Sequence, residues 1–500
     1  MIIIEGYTTD DKVPGAVAKN VWGAGRLSIG AIALIVTCVG TMNESSGSAT
    51  VDTERFQVFD DDEAATYAGP RSELARMLYA AIEIPGATVY GIAVDEPGGA
   101  AAGAVTSVIS GTWSTSGEIR YQFDEEVIRI AVGASDAIDT VGANVIAAVN
   151  QAQNGRLFCV ATYVGGTDTL TFTCDSLGVR GNQHTAWLDL SDAPSGFALT
   201  LVGGTALDNG GVPFTGGSGT DSVANALTAL EPTQNDYLAT AHNDSTNVAL
   251  IETAVNEKAA FDVGLLEQYH VSTNGALAGA TSIAQTTMND QLGSLHWVQW
   301  GVEHPSRIAA RIAAFRSTIE GAQPNYNYDD VVLPGAAPHY RDADVPSRAT
   351  LKTALNAGIT PYKTVSGELQ IVRAICSRSL NGSTPDYRTL DLGDVSVPIR
   401  VRKELVADYQ QLKIENPWAG PDIGDEAPPE GTFTPNLWNN HVYARLKLWE
   451  TADFNWLTEV DDHPPEAEWD EDAERVMGLV DCVVKPLNHQ LGLIVRQRAA

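Results

Sequence analysis

Few side chains in this sequence have a type and spacing that could do chemistry. Cys159 and Cys174 flank Gly165-Gly166-Thr167-Asp168, a run of turn residues. A hairpin turning there sets the two cysteines directly opposite each other, with Cβ atoms roughly 4.5 to 5.5 Å apart. That is slightly longer than a disulfide wants, so a pair of buried thiols and an oxidised pair both stay open. Arg400, Arg402 and Lys403 form a rare basic cluster in an acidic chain. It could hold a negative surface through screened, releasable contacts, or pair with the acidic stretch 450–474. Asp60-Asp61-Asp62-Glu63 and Asp470-Glu471-Asp472 could gather a cation, yet neither has the alternating ligands and central glycine of an EF-hand loop. His296 and His304 lack the i, i+4 spacing of a helical metal pair, and Gly23-Ala24-Gly25 does not sit between a strand and a helix. No G-x-S-x-G, Walker loop or H-E-x-x-H occurs. The expectation is a protein that is not an enzyme, with no catalytic, cofactor-binding or metal residue and no cofactor.

The chain that must position these groups has 500 residues, 44% of them hydrophobic, which fits two to four folding units. Sixty-three acids against 31 bases leave a formal charge of -32, a field that opposes binding to nucleic acid or an anionic membrane surface. The most apolar stretch, 27–43, is diluted by Ser28, Gly30, Thr37, Gly40 and Thr41 below what a membrane span needs, and reads as a buried strand. The residues before it include Asp10, Asp11 and Pro14, which argues against a signal peptide. Five cysteines without C-x-x-C spacing indicate neither a zinc ribbon nor a disulfide framework.

Along the chain, residues 1–26 read as an extended arm carrying Ile2, Ile3, Ile4 and then Val13-Pro14-Gly15-Ala16-Val17. A strand over 29–39 follows, then a helix over 72–83, where Leu74, Met77, Leu78, Ala81 and Ile82 recur at helical spacing. Composition shifts at Pro97 towards Thr, Ser, Gly and Val, with strands over 118–123 and 127–132 and a helix over 137–150. Glycine-rich segments at both ends suggest a β-rich module, 100–217, inserted into a host core made of 27–99 and 218–345. Alternating helices and strands from Asp221 to Ile319 give that core an α/β character. The remainder, 346–500, reads as a C-terminal α+β domain. Its expected elements are strands over 362–364 and 369–377, helices over 398–413 and 442–458, and paired terminal strands over 475–484 and 490–498. The expected fold class is thus a multidomain α/β and α+β chain with extended terminal arms.

The order of these segments carries a family likeness. VPGAV at 13–17, YAGPRSELARMLYAAIEIPGATVYGIAV at 67–94 and DTVGANVIAAVNQAQNGRLFCVATYVGGTDTLTFTCDSLGVRGN at 139–182 follow one another as in the tail sheath proteins of contractile phage tails. ALNAGITPYKTVSGELQIVRAICSRSLNG at 354–382 and YRTLDLGDVSVPIRVRKELVADYQQLK at 387–413 complete the series. The chain resembles the Mu-like branch of that family, with relatives in pyocins and other contractile injection machines; 414–440 and 450–474 depart from it. The resemblance implies a structural protein of the virion, assembled in the host cytoplasm. It would polymerise into a helical sleeve around a tail tube and contract during genome ejection. The implied partners are further copies of itself, the tube protein, and baseplate and tail terminator proteins, with no nucleic acid and no membrane anchor. In such a sleeve the inserted module, with glycine-rich ends and no arm residue, is expected on the outside and the C-terminal domain inside, where the basic cluster Arg400, Arg402 and Lys403 would either face the tube or pair with 450–474. The apolar strands Ile2–Ile4, Val13–Val17 and the one carrying Leu491, Leu493 and Val495 would join subunits by strand addition; the competing expectation is that both termini pair within their own subunit in a closed sheet. Two other classes compete: an α/β enzyme with an unrecognised, carboxylate-lined pocket, and a surface-layer or adhesin protein, which would need a secretion signal.

Overall fold

A computed structural model describes residues 33–260, 263–424, 428–451 and 454–487. Its centre is a nine-stranded sheet. From one edge the order is Val331–Val332, Glu368–Ile371, Ile359–Val365, Gly293–Trp297, Gln268–Thr273, Tyr237–Thr240, Ile35–Thr41, Thr88–Val94 and Phe56–Val58. The strands between Ile359–Val365 and Thr88–Val94 pair in parallel, and antiparallel pairing occurs only towards the two edges. Parallel pairing buries both faces of a sheet, and alternate residues show it here. Val36, Cys38, Val89 and Ala93 pack with the helices Glu73–Ile82 and Pro305–Glu320. Val39, Ile92 and Val94 join the cluster that holds the helices Ala224–Leu230 and Ser245–Lys258. On the first face the two helices meet through Ala75, Ala309, Ala310 and Ala313, side chains small enough for close approach.

The segment 101–218 forms two four-stranded antiparallel sheets and the helix Ile138–Gln151. One sheet runs Phe197–Val202, Ala102–Gly111, Thr169–Leu177, Cys159–Val164; the other runs Val212–Pro213, Thr185–Asp189, Gly117–Phe123, Glu126–Val132. Alternating burial along Ala102–Gly111 and Glu126–Val132 turns one side of each strand into a shared core around Tyr121, Phe123, Phe158 and Phe172. The two ends of the segment are stitched together, since Ala101 and Ser218 exchange backbone hydrogen bonds of 3.1 Å in both directions.

Several expectations are corrected. The position separating 27–99 plus 218–345 from 346–500 falls within a single sheet, because Ile359–Val365 pairs in parallel with Gly293–Trp297. The helix expected to start at Pro398 runs from Leu392 to Glu415 with Pro398 inside it. An interior proline costs about 3 kcal/mol, whereas burying Leu392, Val395 and Ile399 against the sheet returns roughly 1.5 to 3 kcal/mol each, so the longer helix wins. The helix expected over 442–458 is Pro435–Glu450, begun by Pro435 in its first turn and capped by Thr434, whose hydroxyl accepts from Leu437 N at 3.3 Å. Within the alternating helices and strands from Asp221 to Ile319, the helix Leu277–Ser282 passes into a π-helical turn, Ile283–Met288. Arg475–Leu479 pairs with Glu466–Asp470 in a hairpin and is only partly buried, unlike the interior strand expected over 475–484. Residues 490–498, its expected partner, lie outside the described residues, as do 1–26.

Candidate functional site: a buried charged seam between core and module

The joint between the core and the inserted segment is a heavily charged buried region. Ser72 caps the Glu73–Ile82 helix, accepting from Ala75 N at 3.1 Å, and the first turn carries Glu73 and Arg76 into the joint. From the module, the short turn Val179–Gln183 brings in Arg180 after Gly178, whose φ of +112° suits glycine and little else. Arg180 Nε donates to Glu73 Oε2 at 2.9 Å, while Nη1 and Nη2 donate to the two carboxylate oxygens of Asp221 at 2.5 and 2.6 Å. Thr41, at the end of its core strand, donates to Asp221 Oδ2 at 2.5 Å and also meets Arg180 Nη2. His242 Nε2 lies 2.9 Å from the same oxygen. All these side chains are buried.

A second cluster lies beside the first. Arg76 Nη1 donates to Asp124 at 3.3 Å and Nη2 to Glu125 at 3.0 Å, with its guanidinium over the Phe158 ring. Arg307 of the core reaches Glu125 at 3.2 Å and Glu303 at 2.8 Å. Asp124 also accepts from Thr185 N and holds His184 Nδ1 at 2.6 Å. The His184 ring lies between Phe158 and His304, with centroid separations of 3.7 and 4.2 Å. Around the rim, Arg71 donates to the carbonyls of Asn150 and Cys159, Arg156 pairs with Asp61, and Asn43 donates to Asp175.

Electrostatics follow from this geometry. Burial alone would raise the carboxyls of Asp221 and Glu73. Hydrogen bonds from Arg180 and His242 hold Asp221 well below the usual carboxylate range, and the Arg180 charge lowers Glu73 below its ordinary value. Burial, then the neighbouring His184, pushes His304 down to about 3, and burial with Arg76 holds His184 well below its ordinary value. The arrangement suits a rigid weld: charges are paired across the joint, with little water to compete and many donors fixing one geometry.

The residues singled out from the sequence are placed as follows. Cys159 and Cys174 are directly opposed in register, on strands joined by the turn at 165–168. Both are free, buried thiols pushed upward by that burial. Arg400 is buried and donates to Glu404 at 2.9 Å and to the Gly321 carbonyl. Arg402 donates to the Gly264 carbonyl, and Lys403 pairs with Asp236. Among the described residues, these contacts are with the core and with the same helix. Ile2, Ile3, Ile4, Val13, Pro14, Gly15, Ala16, Val17, Leu491, Leu493 and Val495 lie outside the described residues. The seam itself was missed, because Arg180 stands 107 residues from Glu73 and 41 from Asp221. Its one local signal was a basic residue inside the apolar, glycine-flanked SLGVRGN run.

A hollow lined by Asp236, Gln268, Glu320, Ser396 and Arg400 offers about 30 Å³, room for a water or two. Among the described residues, no group of three or more His, Cys, Asp or Glu could hold a metal ion, and no helix is long and apolar enough to cross a membrane.

No family model matches the chain, and no curated protein matches it. Solved structures do. The chain is similar to the sheath tail protein of Desulfitobacterium hafniense, at 11% identity over 95% of this chain and 100% of that one, with a TM-score of 0.44. It is similar to the sheath tail protein of Listeria innocua, at 12% identity over 91% and 92%, with a TM-score of 0.46. It is also similar to the sheath of an extracellular contractile injection system in its contracted state, at 9% identity over 98% and 99%, with a TM-score of 0.48.

Proposed function

We propose that this chain is the sheath subunit of a contractile tail or related injection machine, a structural protein and not an enzyme. Its copies would polymerise helically around a tail tube and contract by rearrangement. The observation that carries the reading is the welded body: the inserted module is fixed to the α/β core by buried, multiply bonded ion pairs. A contracting lattice needs subunits that move as rigid bodies, with the deformation confined to linkers between them. The order of segments from VPGAV to YQQLK supports the same reading.

In this reading the apolar segments Ile2–Ile4, Val13–Val17 and Leu491–Val495 add to a neighbour's sheet, and the linkers around 8–12 and 18–25 flex while the bodies swing. The inserted module lies outside the sleeve and the C-terminal region inside, against the tube. Baseplate and terminator proteins cap the two ends, and assembly takes place in the host cytoplasm. Removing residues 1–20 tests the connection. The expected product is a folded, soluble monomer that forms no tubes. Regular, contractile tubes from the truncated chain would overturn the strand-addition mechanism.

A further inference from the structure

Away from the seam, two buried side chains of the core converge on the carboxylate of a third. Lys258 ends the Ser245–Lys258 helix, Asn235 precedes the Tyr237–Thr240 strand, and Glu267 precedes the Gln268–Thr273 strand. They are 5%, 0% and 2% exposed. Glu267 Oε1 accepts from Lys258 Nζ and, at 3.1 Å, from Asn235 Nδ2. The Thr233 carbonyl accepts from the same two nitrogens, at 2.8 and 3.4 Å. Two shared acceptors therefore hold the amine beside the carboxamide. At the far end of that carboxamide, Asn235 Oδ1 accepts from Thr37 Oγ1 and Arg55 Nη1, both at 2.6 Å. A buried Lys–Glu ion pair by itself requires neither the asparagine nor the two donors on its oxygen.

We propose that Lys258 and Asn235 join in an intramolecular isopeptide bond, with Glu267 as the proton carrier. Glu267 takes a proton from the Lys258 ammonium, and the freed Nζ lone pair attacks Asn235 Cγ, forming a new C–N bond. The negative charge that gathers on Oδ1 is held by the Thr37 hydroxyl and the Arg55 guanidinium, donors already aimed at it. Collapse breaks the Cγ–Nδ2 bond. Nδ2 leaves as ammonia with the proton that Glu267 carried, and Glu267 takes up the second proton shed by Nζ. One amide replaces another, so the step needs no oxidant, reductant or co-reactant. Burial raises the Glu267 carboxyl above its ordinary value, which favours its taking up and holding a proton. The product ties the end of a helix to the entry of a central strand, a covalent clamp inside a body that transmits force.

The test is the intact mass of the purified full-length protein, with peptide mapping. The expected mass is lower than that of the sequence by one ammonia, and trypsin fails to cut after Lys258. A digest that cuts at Glu252 and Glu257 leaves the pieces carrying Asn235 and Lys258 joined. Glu267→Gln and Asn235→Ala restore the full mass, and if these variants fail to fold the wild-type mass and map still decide. Full sequence mass with cleavage after Lys258, in both subunit and polymer, overturns the proposal. Loss of ammonia with the two pieces separate would reveal asparagine cyclisation instead, and would overturn it equally.

Discussion

Replacing Arg180 with Met would leave Glu73 and Asp221 buried with their shared counter-charge gone. Breaking a buried pair from one side costs about 3 to 5 kcal/mol, because the remaining charges stay desolvated. Urea unfolding of Arg180→Met should show a loss of that order, whereas removing Arg120, whose partners Asp189 and Asp192 lie at the surface, should move the midpoint far less. The seam also makes a prediction in pH. Burial pushes His304 down to about 3. Between its unfolded value, ~6.5, and that figure, only the unfolded chain binds the proton, so stability drains as pH falls through the window. A single such histidine contributes up to ~1.4 kcal/mol per pH unit. Glu73 and Asp221, depressed by their partners, add a loss that begins near ~4 and continues below it. Unfolding midpoints of wild type and His304→Gln from pH 7 to 4 check the first part: the variant should lose less stability per unit than the wild type, and parallel curves would contradict the assignment.

At the scale of elements, the weld bears on whether the inserted segment can be removed. Joining Glu96 to Asp221 through a short linker takes away Arg180, Asp124 and Glu125, and so strips Glu73, Arg76 and Arg307 of cross-seam partners. The simple deletant is therefore expected to be poorly soluble, and a deletant also carrying Glu73→Gln, Arg76→Gln and Asp221→Asn to recover folding, as read by soluble yield and circular dichroism. Recovery by neither form would mean that the core needs the module's apolar surface as well. The 392–415 helix makes a parallel case. Reversing Arg400, Arg402 and Lys403 breaks contacts to Glu404, Gly264 and Asp236, so the expected effect is a lower melting temperature of the subunit itself. Unchanged melting with weakened attachment to the tube would support the tube-facing role instead.

These elements also show what could be read from sequence. The hairpin opposing Cys159 and Cys174 was legible because its turn residues and strand alternation are local signals, and so was the Glu73–Ile82 helix, with Ser72 before a periodic apolar run. The helix Leu392–Glu415 was misread because a proline was given its commonest helical position, while the apolar contacts that override it lie on a sheet built from distant segments. The domain limit at 345/346 failed for a related reason: a helix and a turn intervene before Ile359–Val365, yet parallel pairing carries the sheet across them. Buried charge networks leave almost no local trace, since each member looks like an ordinary surface residue until the chain is folded.

As the proposed sheath subunit, the whole molecule would be a stiff body of core and module that works only as one of many. A chain of charge -32 repels its own copies at low ionic strength, so polymerisation should strengthen as salt is raised towards physiological levels and screening shortens to ~8 Å. Negative-stain electron microscopy of the purified full-length protein, concentrated at physiological salt, tests the central claim most directly. The account predicts regular hollow tubes with a helical repeat, built from this protein alone. Particles that stay monomeric at high concentration, with the fold intact by circular dichroism, would contradict it.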